Sequence, residues 1–214
     1  LKGDQALYIE MTVQEFLDEL ASDSPAPGGG SVSALAGSIA ASLLAMVARF
    51  TAGRCGGGEK ELQVQKYLRE SIRLQSLLQQ DVDADTAAYN RVVAAYRMPR
   101  ENAAQKEERS RAIQEALQEA TRLPLQVAQS SLEILRLSLW AIAEGNPNTW
   151  SDAYVAALMA QSGIEGALAN VAINLDQIKD AAFKEEMESQ AGKIRSAAKL
   201  LQEEISDQLR GRLI

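Results

Sequence analysis

A chain of 214 residues, rich in Ala, Leu, Gln and Glu and with only 5% aromatic side chains, reads as one helical domain, two small domains being the alternative. Its net charge of −7, with a pI near 4.8, argues against a nucleic-acid partner, because neutralising phosphates takes a basic face and none is visible. The absence of histidine and the single cysteine, Cys55, exclude Ser-His-Asp and Cys-His catalysis, most zinc sites and an intramolecular disulfide, and fit a reducing, cytoplasmic compartment. Acid–base chemistry is left to carboxylates, amines and phenols.

Residues 1–11 read as an N-terminal extension and 12–214 as a single domain. Thr12-Val-Gln-Glu15 has the spacing of a capping box, and the short helix it opens is expected to bury Val13, Phe16, Leu17 and Leu20. Pro25-Ala-Pro-Gly-Gly-Gly-Ser31 then leads into a helix from about Ser31 to Thr51, and no charged residue occurs between Pro25 and Ala48. Many of its side chains are Ser, Ala or Gly, so neighbouring helices can approach closely. At 17 residues and rich in Ser and Ala, the uncharged run from Ser31 to Val47 reads as buried in protein rather than in lipid, and no membrane or signal segment is expected. The glycines at its start expose helix N–H groups that suit an anion or a polar ligand, a tight turn into a core helix being the plainer reading. No Lys-Ser/Thr follows those glycines and no strand precedes them, which excludes a nucleotide P-loop.

Arg54-Cys-Gly-Gly-Gly58 is a second glycine loop, either a flap or a plain connection. Beyond it, a long helix is expected from about Glu59 to Arg97. Another runs to Ala143, with a kink at Pro124, and after the turn Gly145-Asn-Pro-Asn148 come helices from Asp152 to Leu175 and from Ala181 to Leu209. No strand pattern occurs. The expected fold is an all-α bundle of about six helices, two of them long.

Two stripes carry candidate chemistry. In the first long helix, Leu74, Leu78, Val82, Asp85, Tyr89, Val92 and Tyr96 share a face, and only Asp85 is charged. A carboxylate on a buried seam is paired, hydrogen-bonded or protonated, and burial lifts its pKa toward a range useful for proton transfer. The alternatives are pairing with a cation from another helix or a place at the seam's edge. Asp81 and Tyr89 lie one turn either side, whereas Asp83 is expected to be solvated. In the later helix, Asp152, Ala156, Met159, Gly163, Gly166, Asn170 and Asn174 align; the two asparagines suit a planar heterocycle, or else bond backbone inside the bundle. Arg49, Arg54, Lys60 and Lys66 form a local positive zone able to attract a carboxylate, solvated surface charge being the plainer reading of each.

The segments Phe16-Leu-Asp-Glu-Leu-Ala-Ser, Pro25-Ala-Pro-Gly-Gly-Gly-Ser-Val-Ser-Ala-Leu-Ala-Gly, Val82-Asp-Ala-Asp-Thr-Ala-Ala-Tyr, Tyr96-Arg-Met-Pro, Gly145-Asn-Pro-Asn and Gly166-Ala-Leu-Ala-Asn-Val-Ala-Ile-Asn-Leu occur in the order of the cyclodeaminase/cyclohydrolase family of folate one-carbon enzymes, which the chain resembles over residues 12 to about 185. That resemblance implies an all-helical homodimer with a tetrahydrofolate pocket near the subunit contact. It implies Asp85 as catalytic acid/base and no cofactor or metal beyond the folate substrate. Gly28, Gly29, Gly30, Ser31, Arg54, Tyr89, Asn170 and Asn174 are the expected substrate-binding residues. Gly53-Arg-Cys-Gly-Gly-Gly departs from the family's usual Gly-Lys pattern. The expected activity is methenyltetrahydrofolate cyclohydrolase, toward which the absence of a formiminotransferase region before the domain leans; formimidoyltetrahydrofolate cyclodeaminase is the alternative, and a non-catalytic helical assembly protein a more distant one.

Overall fold

The computed structural model describes residues 7–54 and 57–212, so Cys55 lies outside the described residues. Six α-helices account for the fold: α1 (Val13–Leu20), α2 (Gly29–Ala52), α3 (Glu59–Tyr96), α4 (Ala103–Glu144), α5 (Trp150–Leu175) and α6 (Ala181–Gln208). Short 3-10 turns at Tyr8–Glu10 and Pro147–Thr149 complete it, and no strand occurs among the described residues. The expected all-α bundle with two long helices is the one found.

Local signals explain most boundaries. Thr12 and Glu15 cap α1 reciprocally, the side chain of each accepting from the other's backbone N–H. Asn102 caps α4 by accepting from Gln105 N at 2.9 Å, and Asp180 caps α6 through Ala182 N and Phe183 N. Pro124 is buried within α4, which continues on both sides of it.

The apolar face expected for α1 is only partly used. Phe16 is buried against the edge of the Tyr8 ring, with 6.5 Å between centroids, but Val13 and Leu17 are 78% and 55% exposed. Two turns lying on the bundle surface bring one row of side chains to the core and leave the flanking rows outside.

α2 runs through the centre, packed by α3, α4 and α5, while α6 covers α4 and α5 from outside. It has the length and apolarity of a helix that crosses a membrane, with a mean hydropathy of 1.9, yet 67% of that window is buried inside the bundle. Its small residues set the helix spacing. A Cβ on Gly37 would come within 2.8 Å of Ser131 Oγ, and one on Gly163 within 2.9 Å of the same atom, so α2, α4 and α5 converge there. Around this axis Val47, Leu74, Leu78, Val82, Leu117, Ile134, Leu135 and Ile164 form the core.

Two further carboxylates of α3 take partners from outside the helix. Asp83 is not simply solvated: it is half-buried and accepts from Tyr8 N at 2.6 Å and Ile9 N at 3.3 Å, tying the segment before α1 to α3. Asp81 is 4% exposed, and its partner is Gln126 Nε2 at 3.2 Å rather than Asp85. Burial pushes the Asp81 carboxyl up to about 6, with the Gln126 amide opposing. An acid whose pKa is higher folded than unfolded holds its proton better in the native state, so its contribution is fully present below about pH 4 and is lost as pH rises through about 6. At pH 7 the ionised group then costs roughly 2–3 kcal/mol. Asp81→Asn is expected to raise stability at pH 7 by about 1–2 kcal/mol and to flatten the stability profile between pH 4 and 7. Urea unfolding at pH 5 and pH 7.5 checks this; an unchanged slope would show that Asp81 does not titrate in the native state.

Candidate functional site

A cleft of about 290 Å³ opens where the N-terminus of α2 meets α3 and α5. The turn before α2 supplies Pro25, Ala26, Gly28, Gly29 and Gly30; α3 supplies Asp85, Ala88, Tyr89 and Val92; α4 supplies Leu117 and Ala120. Asn170 and Asn174 from α5, with Gln177 just beyond it, close the remaining side.

The sequence places the start of α2 at Ser31; the helix in fact begins at Gly29, with Gly28 as N-cap and no side chain capping locally. Glycine offers no acceptor, so the first-turn N–H groups need one from elsewhere. Asp85 provides it from α3: its Oδ2 accepts from Ser31 N at 3.0 Å and lies 3.1 Å from Ser31 Oγ. The carboxylate therefore sits at the positive end of α2. Burial nevertheless raises the Asp85 pKa above the usual carboxylate value, the Ser31 hydroxyl and N–H opposing the shift. Among the described residues, no lysine or arginine lines the cleft.

Glycine at position 30 is what allows this approach. A Cβ there would overlap the Asp85 carboxyl group, at all three of its outer atoms. At Gly29 a Cβ would stand 3.4 Å from Asn170 Nδ2, and at Gly28 it would meet nothing within 4 Å. The loop is also held from behind: Tyr8 Oη donates to Ala26 O at 3.0 Å, and Tyr8 N is the group bound by Asp83.

Both asparagines use their amide nitrogens on backbone, Asn170 Nδ2 donating to Gly166 O and Asn174 Nδ2 to Ala120 O, each at 2.8 Å. A carbonyl can only accept, so the sense of each amide is set and its Oδ1 is left as an acceptor. The backbone-bonding reading of these residues is thus met, and both also line the cleft. Tyr89 is 41% exposed at the cleft.

Arg54 is not brought here. It follows the far end of α2, 24 residues from Gly30, which corresponds to about 35 Å of helix. Sequence reasoning missed Gln177, which falls beyond the C-terminal end of α5 and so on no helical stripe. Its Oε1 accepts from Tyr96 Oη at 2.9 Å, joining the last turn of α3 to the cleft rim. Among the described residues, no three Asp, Glu, Cys or His side chains gather as metal ligands would.

With this geometry in place, the family model described as formiminotransferase-cyclodeaminase matches residues 12–193. The chain belongs to that family. Relatives of this cyclodeaminase-family chain include a methenyltetrahydrofolate cyclohydrolase of Methylorubrum extorquens, 34% identical over 94% of the chain and 97% of the relative. The formimidoyltransferase-cyclodeaminases of Rattus norvegicus and Sus scrofa are 30% and 31% identical over 92% and 98% of the chain. The chain spans only 36% and 39% of those two longer proteins. A crystal structure of formiminotetrahydrofolate cyclodeaminase from Thermotoga maritima superposes with a TM-score of 0.85 at 25% identity, covering 96% of this chain and 98% of that one. All the residues lining the cleft fall inside the matched span.

Proposed function

We propose that this cyclodeaminase-family chain is a methenyltetrahydrofolate cyclohydrolase that uses Asp85 as its acid/base. The observation that carries the reading is the Asp85 carboxyl in the cleft, its proton affinity raised by burial, with no other carboxyl and no cation among the described residues of the lining. Near-full-length similarity to a protein of that name supports it.

The chemistry needs one group that takes a proton and returns it. Water adds to the carbon between N5 and N10 of 5,10-methenyltetrahydrofolate while ionised Asp85 accepts one of its protons. The tetrahedral carbon then collapses: the C–N5 bond breaks, Asp85 returns that proton to N5, and the carbinol oxygen releases its own proton to solvent. The product is 10-formyltetrahydrofolate, and no electrons are gained or lost, so the sequence of steps calls for no redox cofactor. In this reading Gly28, Gly29 and Gly30 form a side-chain-free wall against which a flat pterin lies, while Asn170, Asn174 and Tyr89 supply polar contacts.

The likeness to the Thermotoga cyclodeaminase favours a second reading. There N10 attacks the carbon of the protonated formimidoyl group of 5-formimidoyltetrahydrofolate and gives up its proton to ionised Asp85; Asp85 then passes that proton to the amino nitrogen, whose bond to the carbon breaks to release ammonia and leave the methenyl cation. Offering both substrates and following methenyltetrahydrofolate absorbance separates the two. Decay of added methenyltetrahydrofolate to the formyl compound is expected; its appearance from the formimidoyl compound would select the second, and neither change would leave a non-catalytic helical protein.

A homodimer belongs to the same proposal. Val32, Ile39 and Phe50 are exposed along α2, and Val155 and Leu158 along α5, the helix packed against it. An apolar stripe on a helix whose single charged residue, Arg49, lies in its last turn favours a second copy over a charged partner. Sedimentation at twice the 23.1 kDa chain mass is expected, and a lone monomer would remove this part of the proposal.

A further inference from the structure

Ser31 is fully buried, and its hydroxyl has two acceptors within reach but one proton. Ser31 Oγ lies 2.8 Å from Val82 O and 3.1 Å from Asp85 Oδ2. Val82 O only accepts. When Asp85 is ionised, its oxygen likewise only accepts, and the Ser31 proton serves one of the two. When Asp85 is protonated, the conflict disappears: the carboxyl donates to Ser31 Oγ while Ser31 donates to Val82 O. Ser31 N continues to donate to Asp85 Oδ2 while that oxygen accepts, at 3.0 Å.

We infer that Ser31 is a positioning residue for proton transfer: its hydroxyl turns from Val82 O to Asp85 when Asp85 loses its proton and turns back when the proton returns. The inference rests on the reading of Asp85 as the acid/base of a folate reaction, but the hydroxyl movement itself needs no substrate. It gives both protonation states a hydrogen bond from one buried atom, so neither is stranded as proton transfer proceeds. The amide N–H of Ser31 holds the carboxyl in place throughout.

The surroundings leave Ser31 as the main polar influence on Asp85. On α3 itself the titratable groups on this face are Asp81, one turn back and bonded to Gln126, and Tyr89, one turn on. α2 carries no charged residue before Arg49. α4 presents Leu117 and Ala120 to the cleft, and α5 presents Asn170 and Asn174, all uncharged. Asp83 faces away, bound to the backbone at Tyr8 and Ile9.

The test measures the Asp85 titration with and without the hydroxyl. Aspartate labelled with 13C at the carboxyl is followed against pH in the full chain, with Asp85→Asn identifying its signal and Asp81→Asn removing the neighbouring titration. In Ser31→Ala the Asp85 midpoint is expected to move up by about one pH unit, since the ionised form loses a charge-assisted hydrogen bond. The limb of the methenyltetrahydrofolate pH–rate profile governed by Asp85 moves with it. Ser31→Thr, which keeps the hydroxyl, is expected to restore both. A midpoint that stays in place in folded Ser31→Ala, with a lower rate and an unshifted profile, overturns the inference and makes Ser31 a packing residue. A shifted midpoint in a protein that turns over neither folate keeps the hydroxyl coupling and overturns the folate reading instead.

Discussion

Asp85→Asn is expected to lower turnover by about 10³-fold while leaving the fold and substrate affinity close to those of the parent. The asparagine keeps an oxygen to accept from Ser31 N, the bond by which Asp85 closes the N-terminus of α2. What it lacks is a proton to exchange. The comparison therefore separates the two roles the structure gives this carboxyl: a capping role survives the substitution, and an acid/base role does not. Steady-state kinetics with methenyltetrahydrofolate, beside a binding isotherm and a thermal melt, make the measurement. A variant within a few-fold of parental turnover would show that Asp85 only caps. The sign of the pH effect follows from its raised pKa: the carboxyl stays protonated to higher pH than a free aspartate, so activity that begins with the ionised form rises through that midpoint. The Asn variant has no such limb.

Gly30→Ala is expected to cost about 10²-fold in turnover or more, from one added methyl group. That methyl overlaps the Asp85 carboxyl, so either the side chain rotates away from Ser31 or the first turn of α2 shifts. Alanine is intrinsically better than glycine in a helix by about 1 kcal/mol, which offsets part of the structural cost. Activity is therefore expected to fall much further than stability. Gly28→Ala is the comparison: a Cβ there meets no protein atom within 4 Å, so it leaves Asp85 on Ser31 and acts only on the proposed pterin wall, which is expected to raise KM more than it lowers turnover. Equal loss of turnover in both variants would mean that the glycines act through the loop or the pterin wall and not through the approach of Asp85. Rates set beside urea midpoints for the two variants decide the matter.

The stripe from Leu74 to Tyr96 shows how far residue spacing reached. It isolated Asp85 because a charge on an otherwise apolar seam conflicts with burial, and that conflict is visible in one dimension. The same reasoning was silent on the burial of Asp81 and wrong for Asp83, which anchors Tyr8 and Ile9 instead of being solvated. Their partners, Gln126 and the backbone before α1, lie 45 and 75 positions away, and no periodicity along α3 points to either. Val13 and Leu17 erred in the opposite direction: the amphipathic pattern of α1 is real, but it does not say which row of side chains has bundle beneath it.

By itself, then, the sequence determined the helical class, the capping box at Thr12, the slim central helix and the motif order that marks the family. These depend on local propensity and on segments read along the chain, and both are complete in one dimension. Only the tertiary structure decided that Asp85 caps α2 from another helix, that Gly30 exists to admit it, that Ser31 hangs between two acceptors, and that Arg54 stands at the far end while Gln177 reaches the rim. Each of these is a meeting of residues far apart in the chain, set by how closely α2 packs on α3 and α5. Such distances appear only once the helices have met.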